Sequence, residues 1–109
     1  MKRTDWAYIA GFLDADGTIY FPKYRPNQVR IKLYQQDPSI LQELQGLMGF
    51  GRISCINRRT GCHALHINRR DDVYVFIRGV RPYVRVKQVK LARAARLLTV
   101  VEDVKRRRT

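Results

Sequence analysis

The chain lacks the long hydrophobic runs of a membrane protein. No stretch of its 109 residues is apolar enough to cross a bilayer, and no signal peptide or strongly amphipathic basic anchor stands at either end. The length suffices for one domain with a modest core and argues against two. We therefore expect a soluble, intracellular protein that is not secreted and has no membrane partner.

Cysteine is also scarce, with two residues in the chain. Cys55 and Cys62 flank a predicted hairpin turn at residues 58–61. Too few other metal-binding residues stand near them to complete a metal site, and a disulfide would need a secreted context that nothing else supports. We predict two reduced thiols with a structural role.

Acidic residues are few as well. Nine Asp and Glu stand against 22 Lys and Arg, which gives a formal net charge of +13 and a pI near 10.6. Such an excess repels itself in a compact fold, so a polyanionic partner is favoured, and nucleic acid is the commonest one. A basic ribosome-associated or structural protein would also explain the charge, but it would not explain a helix that ends in acid, as the first predicted helix does.

The first predicted helix ends in two of these few carboxylates. Thr4 is a suitable N-cap for a helix that begins at Asp5 and continues through the run Ile9-Ala-Gly-Phe-Leu-Asp-Ala-Asp-Gly17. An apolar stripe that ends in acid is unfavourable unless the acid has a partner or a metal. The run therefore predicts a helix that packs closely against another element and presents a carboxylate at its end.

Apolar spacing predicts the remaining elements. Alternation favours strands, and apolar residues three and four apart favour helices. We expect strands over 18–21, 29–34, 52–56 and about 64–68; helices over 38–49 with Asp37 as N-cap, from Asp71 or Asp72 to about 79, and over 84–103; and a basic tail over 105–109. The predicted class is α+β: one domain over 1–104 with an α-β-β-α-β-β-α core, whose four-stranded antiparallel sheet has its helices on one face.

The other face of this sheet is predicted to be polar and basic. In the second hairpin, Ile53, Cys55, Leu65 and Ile67 are expected to point toward the helices. A β-ribbon surface of this kind fits the major groove of DNA. We predict double-stranded DNA as the partner, bound by residues of the strands and their turns: Arg25, Asn27, Gln28, Arg30, Lys32, Arg52, Ser54, Arg58, Arg59, Ala64, His66 and Asn68.

The run at 9–17 resembles the LAGLIDADG motif of homing endonucleases, with conservative replacements and both acids intact. The predicted order of elements matches the family's core, and segments 33–37 and 81–90 resemble its polar strand end and its lysine-bearing segment. The resemblance implies a site-specific endonuclease of the homing type that hydrolyses phosphodiester bonds at a long pseudo-palindromic site. It also implies a prokaryotic, phage or organelle context, linked to the mobility of an intron or intein.

The resemblance assigns the catalytic residues too. It implies that Asp16 is the metal-binding carboxylate, assisted by the backbone carbonyl of Ala15, that Gln35 orients water around the metal, and that Lys87 stabilises charge. The implied cofactor is Mg²⁺, for which Mn²⁺ or Ca²⁺ would substitute in binding. Without the resemblance, Gln35 carries no signal and Lys87 is a solvated charge. Some members carry a basic residue where this chain has Ser39, so that role is vacant or filled elsewhere.

One copy of the motif per chain implies a homodimer. Small residues such as Gly11 let two helices approach closely, and a twofold axis between them would bring two Asp16 carboxylates together. Asp14 is expected to serve the helix end and the turn as well. The predicted interface consists of Trp6, Ile9, Ala10, Gly11, Leu13 and Asp14.

Two other functions of the same scaffold stay open. One is an RNA maturase that acts on intron RNA, and the other is a DNA-binding protein that does not cleave. The two retained acids favour the nuclease without excluding assistance in splicing. His66 is expected to contact DNA or solvent rather than to act in catalysis.

Overall fold

A computed structural model describes residues 1–25 and 27–108, with side chains through residue 98. Its elements confirm the predicted α+β class. None of the helices in the described ranges is long and apolar enough to cross a membrane. In chain order the elements are α1 (Arg3–Asp16), β1 (Gly17–Tyr20), β2 (Arg30–Gln35), α2 (Pro38–Met48), β3 (Arg52–Asn57), β4 (Cys62–Ile67), α3 (Arg70–Val80) and α4 (Gln88–Arg108).

The four strands form one antiparallel sheet in the order β1-β2-β4-β3. Gly17 pairs with Leu33, which pairs in turn with Leu65. Helices α1 and α2 pack on one face of the sheet, while α3 packs against α1 and α4. Leu33 and Leu65 are fully buried on the helix side, together with Phe76 of α3. The helices thus cover one face and leave the other open, as predicted.

Two helix starts differ from the sequence prediction. Helix α1 begins at Arg3 with Lys2 as N-cap, and the Lys2 backbone N–H donates to the Asp5 carboxylate over 3.1 Å. The predicted N-cap at Thr4 is therefore wrong. The Asp5 carboxylate, in the first turn of the helix, accepts the backbone N–H of the N-cap residue Lys2 instead. Helix α3 begins after Arg69, which places Asp71 and Asp72 in its first turn, where their charge suits the helix dipole.

The last helix is displaced at both ends. It begins at Gln88 rather than Val84, because the backbone N–H groups of Arg85 and Lys87 donate to the Asp14 carboxylate instead of entering a helix. It continues to Arg108, beyond the expected end at Asp103, so the backbone of 105–108 is helical rather than a tail. Thr109 and the side chains of 99–108 lie outside the described residues.

The two cysteines are free thiols, as predicted. Cys62 is half-buried, but Cys55 is exposed rather than packed in the core. The register pairs Cys55 with His63, two residues beyond the pair of the half-buried Ile53 and the buried Leu65. Strand β3 thus extends beyond the end of the core, so a residue there is exposed even when alternation points it toward the helices.

Gly17 joins α1 to β1 at a point of close approach. Its backbone is extended, so no special conformation is required, but a Cβ there would lie 2.7 Å from Leu13 Cδ1 and 2.9 Å from both Leu13 Cα and Leu33 Cδ2. The Leu13 backbone cannot give way without moving α1. We expect Gly17→Ala to lower the free energy of unfolding by about 1–3 kcal/mol, the usual effect of overpacking.

Chemical denaturation measures this effect, and Gly46→Ala is the matched control. Gly46 lies in α2, and a Cβ there would meet nothing within 4 Å. The free energy of unfolding of the control should rise by about 0.4–1 kcal/mol, because alanine lowers the conformational entropy of the unfolded chain. An unchanged unfolding midpoint for Gly17→Ala would show that this junction is not tightly packed.

Candidate functional site

The C-terminal end of α1 presents a free carboxylate. Asp16 is the last residue of the helix and is exposed, as is Ala15 before it. Within the part of the chain that the structure describes, the Asp16 carboxylate has no hydrogen bond or ion pair. Its oxygens are therefore available to a ligand from outside the chain.

Lys87 is held beside this helix end. Its Nζ donates to the backbone carbonyl oxygen of Asp14 over 2.8 Å, and its backbone N–H donates to Asp14 Oδ1 over 3.1 Å. A residue that is 71 positions away from Asp16 in sequence is thus fixed within one helical turn of it. Lys87 is half-buried, and its ammonium group is bonded to the last turn of α1, the turn that ends in Asp16.

Asp14 anchors the segment that carries Lys87. Its Oδ2 accepts from the Arg85 backbone N–H over 2.8 Å. Burial raises the pKa of Asp14, but hydrogen bonds from the backbone of Arg85, Lys87 and Val86, with the charge of Lys87, outweigh it and hold the pKa below its usual value. Asp14 therefore stays ionised and is used within its own chain.

Gln35 lies at the same end of the sheet. It is the last residue of β2, two positions beyond Leu33, and Leu33 pairs with Gly17 directly after Asp16. Its Oε1 accepts from the Gln36 backbone N–H over 2.9 Å. Asp16, Gln35 and Lys87 thus lie at the same end of the molecule, although α1, β2 and the turn before α4 that carry them are far apart in sequence.

A single chain does not complete a metal site among its described residues. No group of three or more His, Cys, Asp or Glu is placed to hold an ion there. Asp16 is the free carboxylate, since Asp14 is occupied by the 85–87 backbone. A metal ion held by Asp16 would therefore need ligands besides the described His, Cys, Asp and Glu side chains of this chain.

Helix α1 has two apolar faces, and most of the residues predicted for a dimer interface lie on the face that their own subunit covers. Ile9, Ala10 and Leu13 are fully buried in the core of their own subunit. Trp6 packs edge-on against Phe76, with ring centroids 6.3 Å apart. Of the predicted interface, Gly11 alone is exposed.

The free face of α1 carries a stripe of small and aromatic residues at helical spacing. We call it the α1 stripe; it consists of Ala7, Tyr8, Gly11 and Ala15, all exposed. Their spacing of three or four residues is visible in the sequence. The sequence analysis did not single out this stripe, because the larger apolar side chains on the opposite face of α1 dominate the hydrophobic periodicity of the helix. A Cβ at Gly11 would meet nothing within 4 Å, so the space above this helix is open.

The open face of the sheet carries a row of polar side chains that crosses all four strands. The register aligns Thr18 with Lys32, Lys32 with His66, and His66 with Arg52. Predicted DNA-binding residues thus lie side by side in this row. All but one of the other predicted residues are half-buried or exposed, and they lie on this face, in the two hairpin turns or directly after β4. They are Arg25, Asn27, Gln28, Arg30, Ser54, Arg58, Arg59 and Asn68.

The exception is Ala64, which is fully buried. It lies on the central strand β4, paired with Tyr34 on one side and Ser54 on the other. Larger neighbours cover its methyl group, so its side chain offers no surface to DNA. The alternation of apolar and polar residues could not reveal this burial. It predicts the face of the sheet on which a residue lies, but not whether larger neighbouring side chains cover it.

His66 is the centre of the row. Its Nε2 lies 2.7 Å from Ser54 Oγ. Burial lowers the pKa of His66, and the positive charges of Arg52 and Lys32 lower it further. The imidazole is therefore held toward its neutral form between two cations.

Comparison with known proteins identifies the fold. The chain is similar to the homing endonuclease I-CvuI in complex with its target Sro1.3 in the presence of 2 mM Ca, with a TM-score of 0.75 and 19% identity over 94% of this chain and 71% of that one. It is similar to the homing endonuclease I-TnaI, with a TM-score of 0.74 and 17% identity over 94% of this chain and 75% of that one.

A third structure is the archaeal intron-encoded homing endonuclease I-Vdi141I complexed with DNA, with a TM-score of 0.70 and 15% identity over 92% of this chain and 70% of that one. Sequence comparison with curated proteins finds no match. The family model of the LAGLIDADG-like domain matches residues 4–81, which include Asp16 and Gln35. The chain therefore belongs to the LAGLIDADG-like domain family and has the fold of its homing endonucleases.

Proposed function

We propose that this protein is a site-specific, divalent-metal-dependent endonuclease that cleaves double-stranded DNA as a homodimer. The observation that carries the proposal is the exposed carboxylate of Asp16, which has no hydrogen bond or ion pair among the described residues and ends the helical turn to which Asp14 holds Lys87. A carboxylate and an ammonium group at one helix end suit phosphodiester hydrolysis, in which negative charge develops on phosphate oxygens.

The donor atoms at this helix end fit a hard cation. Asp16 and the Ala15 carbonyl offer oxygen ligands, which Mg²⁺ prefers, and Mg²⁺ is usually held by one or two carboxylates with waters and phosphate oxygens as its other ligands. A bound Mg²⁺ would supply charge stabilisation at phosphorus and a water of lowered pKa. Each subunit would contribute one Asp16, which agrees with the lack of a complete cluster among the described residues.

The proposed roles of Lys87 and Gln35 depend on where their side chains are held. The hydrogen bond from Lys87 Nζ to the Asp14 carbonyl orients its ammonium group at the helix end, where it stabilises a phosphate as a point charge. The Gln35 side chain, at the end of β2, donates and accepts hydrogen bonds that orient water near Asp16. Both residues are positioned before DNA binds, which favours the charged transition state.

The open face of the sheet is the proposed DNA surface. Its row of Lys32, His66 and Arg52 presents polar and basic groups at the spacing of adjacent strands, and a lysine side chain such as that of Lys32 pairs well with guanine edges in the major groove. The structures of I-CvuI with its target and of I-Vdi141I with DNA support this use of the fold.

The α1 stripe is the proposed dimer seam. Its small residues permit a close helix pair across a twofold axis, and this pair would bring the two Asp16 carboxylates together. The site that results reads two half-sites related by that axis, so the target is pseudo-palindromic.

Cleavage of a randomised duplex library in Mg²⁺ tests the function. We expect a set of cut products that share one pseudo-palindromic site, because two identical subunits read the two halves. Sequencing of the cleaved ends gives the site, and native mass measurement gives the subunit number. A library that stays intact although the protein binds it would contradict the nuclease and favour a protein that binds without cutting.

A further inference from the structure

A cavity of about 460 Å³ opens at the β3 edge of the sheet, next to the proposed DNA surface. We call it the edge cavity. It lies where β3 begins, β4 ends and α3 starts, and its polar wall is formed by Arg52, His66, Asn68, Arg69 and Asp72. Arg52 and His66 also belong to the polar row across the sheet. The edge cavity thus continues that row outward.

The position of the edge cavity favours a phosphate over a base as its ligand. Adjacent strands lie about 4.8 Å apart, so a four-stranded sheet is roughly 14 Å wide. The major groove of DNA is about 12 Å wide. When its strands run along the groove, a sheet of this width does not place all four of them over the bases. An edge strand such as β3 then meets the wall of the groove, which consists of the phosphate backbone.

The charges of the edge cavity fit the same ligand. Arg52 and Arg69 are exposed, and within the described part of the chain neither guanidinium has a hydrogen bond or ion pair. The Asn68 amide adds a neutral donor, and Asp72 is the one acid of the wall. Two guanidinium groups and one carboxylate leave a net positive site, and the planar fork of arginine matches phosphate oxygens.

His66, in the wall of the edge cavity, is a group whose protonation depends on the charges around it. The charged and polar groups that face it are Lys32 from β2, Arg52 and Ser54 from β3, and Arg69 and Asp72 from the start of α3. Before DNA binds, cations on both sides favour the neutral imidazole. A phosphate that enters between Arg52 and Arg69 adds negative charge, which favours the imidazolium.

We propose that the edge cavity binds one phosphate of the DNA backbone and that His66 takes up a proton from solvent as this phosphate enters. The imidazolium then donates from Nε2 to Ser54 Oγ, 2.7 Å away, and keeps its second N–H for the phosphate. This proposal rests on the proposed function for DNA binding, but it requires neither cleavage nor metal.

Salt dependence tests the phosphate contact. The probe is a short mixed-sequence duplex without divalent metal, followed by fluorescence anisotropy over a series of KCl concentrations. Each lost phosphate contact lowers the slope of log K against log salt by about 0.9. Arg69→Gln should lose this amount per subunit. Arg78→Gln, which removes the same charge from the exposed side of α3, should keep the wild-type slope.

The pH dependence tests the proton. Because a bound phosphate raises the pKa of His66 above its lowered value in the free protein, affinity should rise as pH falls through the range between these two pKa values, by up to tenfold per pH unit for each subunit. His66→Gln keeps a hydrogen-bond donor but does not titrate, so it should abolish this dependence. His63→Gln should keep it, since His63 bonds to the Gly61 carbonyl, away from the edge cavity.

Three results would overturn the proposal. They are equal salt slopes for Arg69→Gln and Arg78→Gln, a pH dependence that survives His66→Gln, and the absence of binding to any duplex by the wild-type protein. The first two leave cleavage in Mg²⁺ intact and refute the edge cavity alone. The third refutes the proposed function with it.

Discussion

Replacing Asp16 with asparagine should abolish DNA cleavage and leave DNA binding nearly unchanged. Asparagine has the size of aspartate and one of its oxygens, but it lacks the charge that holds a divalent cation. The carboxylate has no partner within the described part of its chain, so its removal breaks no structural contact there. Because a catalytic metal contributes several kcal/mol to the transition state, we expect the rate in Mg²⁺ to fall by about a thousandfold or more.

The measurement compares single-turnover cleavage in Mg²⁺ with anisotropy binding in Ca²⁺ on the same duplex. Glu43→Gln is the matched control, because Glu43 is exposed on α2 and its replacement removes the same negative charge. That variant should cleave like the wild type, which separates loss of a ligand from a general change in charge. Undiminished cutting by Asp16→Asn would remove Asp16 from the site.

The place of Asp16 at the end of a helix was predictable from the sequence alone. Asp16 stands at the end of an apolar helix, and an unpaired acid in that position indicates a ligand whatever the surrounding fold. Gln35 and Lys87 carried no such signal, and only the resemblance pointed to them. Their place follows from the pairing of Gly17 with Leu33 and from the bonds of Lys87 to Asp14, which are tertiary contacts.

Packing decides the features that the sequence could not reveal. Helix α1 is apolar on two sides, and hydrophobicity alone does not say which side its own subunit covers. Trp6 looked suited to an interface, yet it packs on α3, where a Cβ at Gly79 would collide with its indole ring. Arg69 lies outside every strand and was not predicted at all, although it lines the edge cavity next to Arg52.

Dimerisation should depend on Gly11. In the isolated subunit Gly11 is exposed and a Cβ at this position meets no described atom within 4 Å, so we expect Gly11→Gln to fit the monomer. Since glutamine is the better helix former, the variant should gain about 0.5–1 kcal/mol in the free energy of unfolding of the monomer. If two α1 stripes pack across the twofold axis, the same side chain stands in the seam and keeps the helices apart.

We therefore expect Gly11→Gln to be folded, monomeric by native mass measurement, and at least about a hundredfold slower in cleavage, which corresponds to about 3 kcal/mol in the transition state. Gly46→Gln is the matched control, since Gly46 is also helical, exposed and without neighbours within 4 Å, but lies on α2. It should gain a similar stability and keep both dimer and activity. A dimeric, active Gly11→Gln would place the seam elsewhere. A monomeric variant that still cuts both strands would show that one Asp16 is enough.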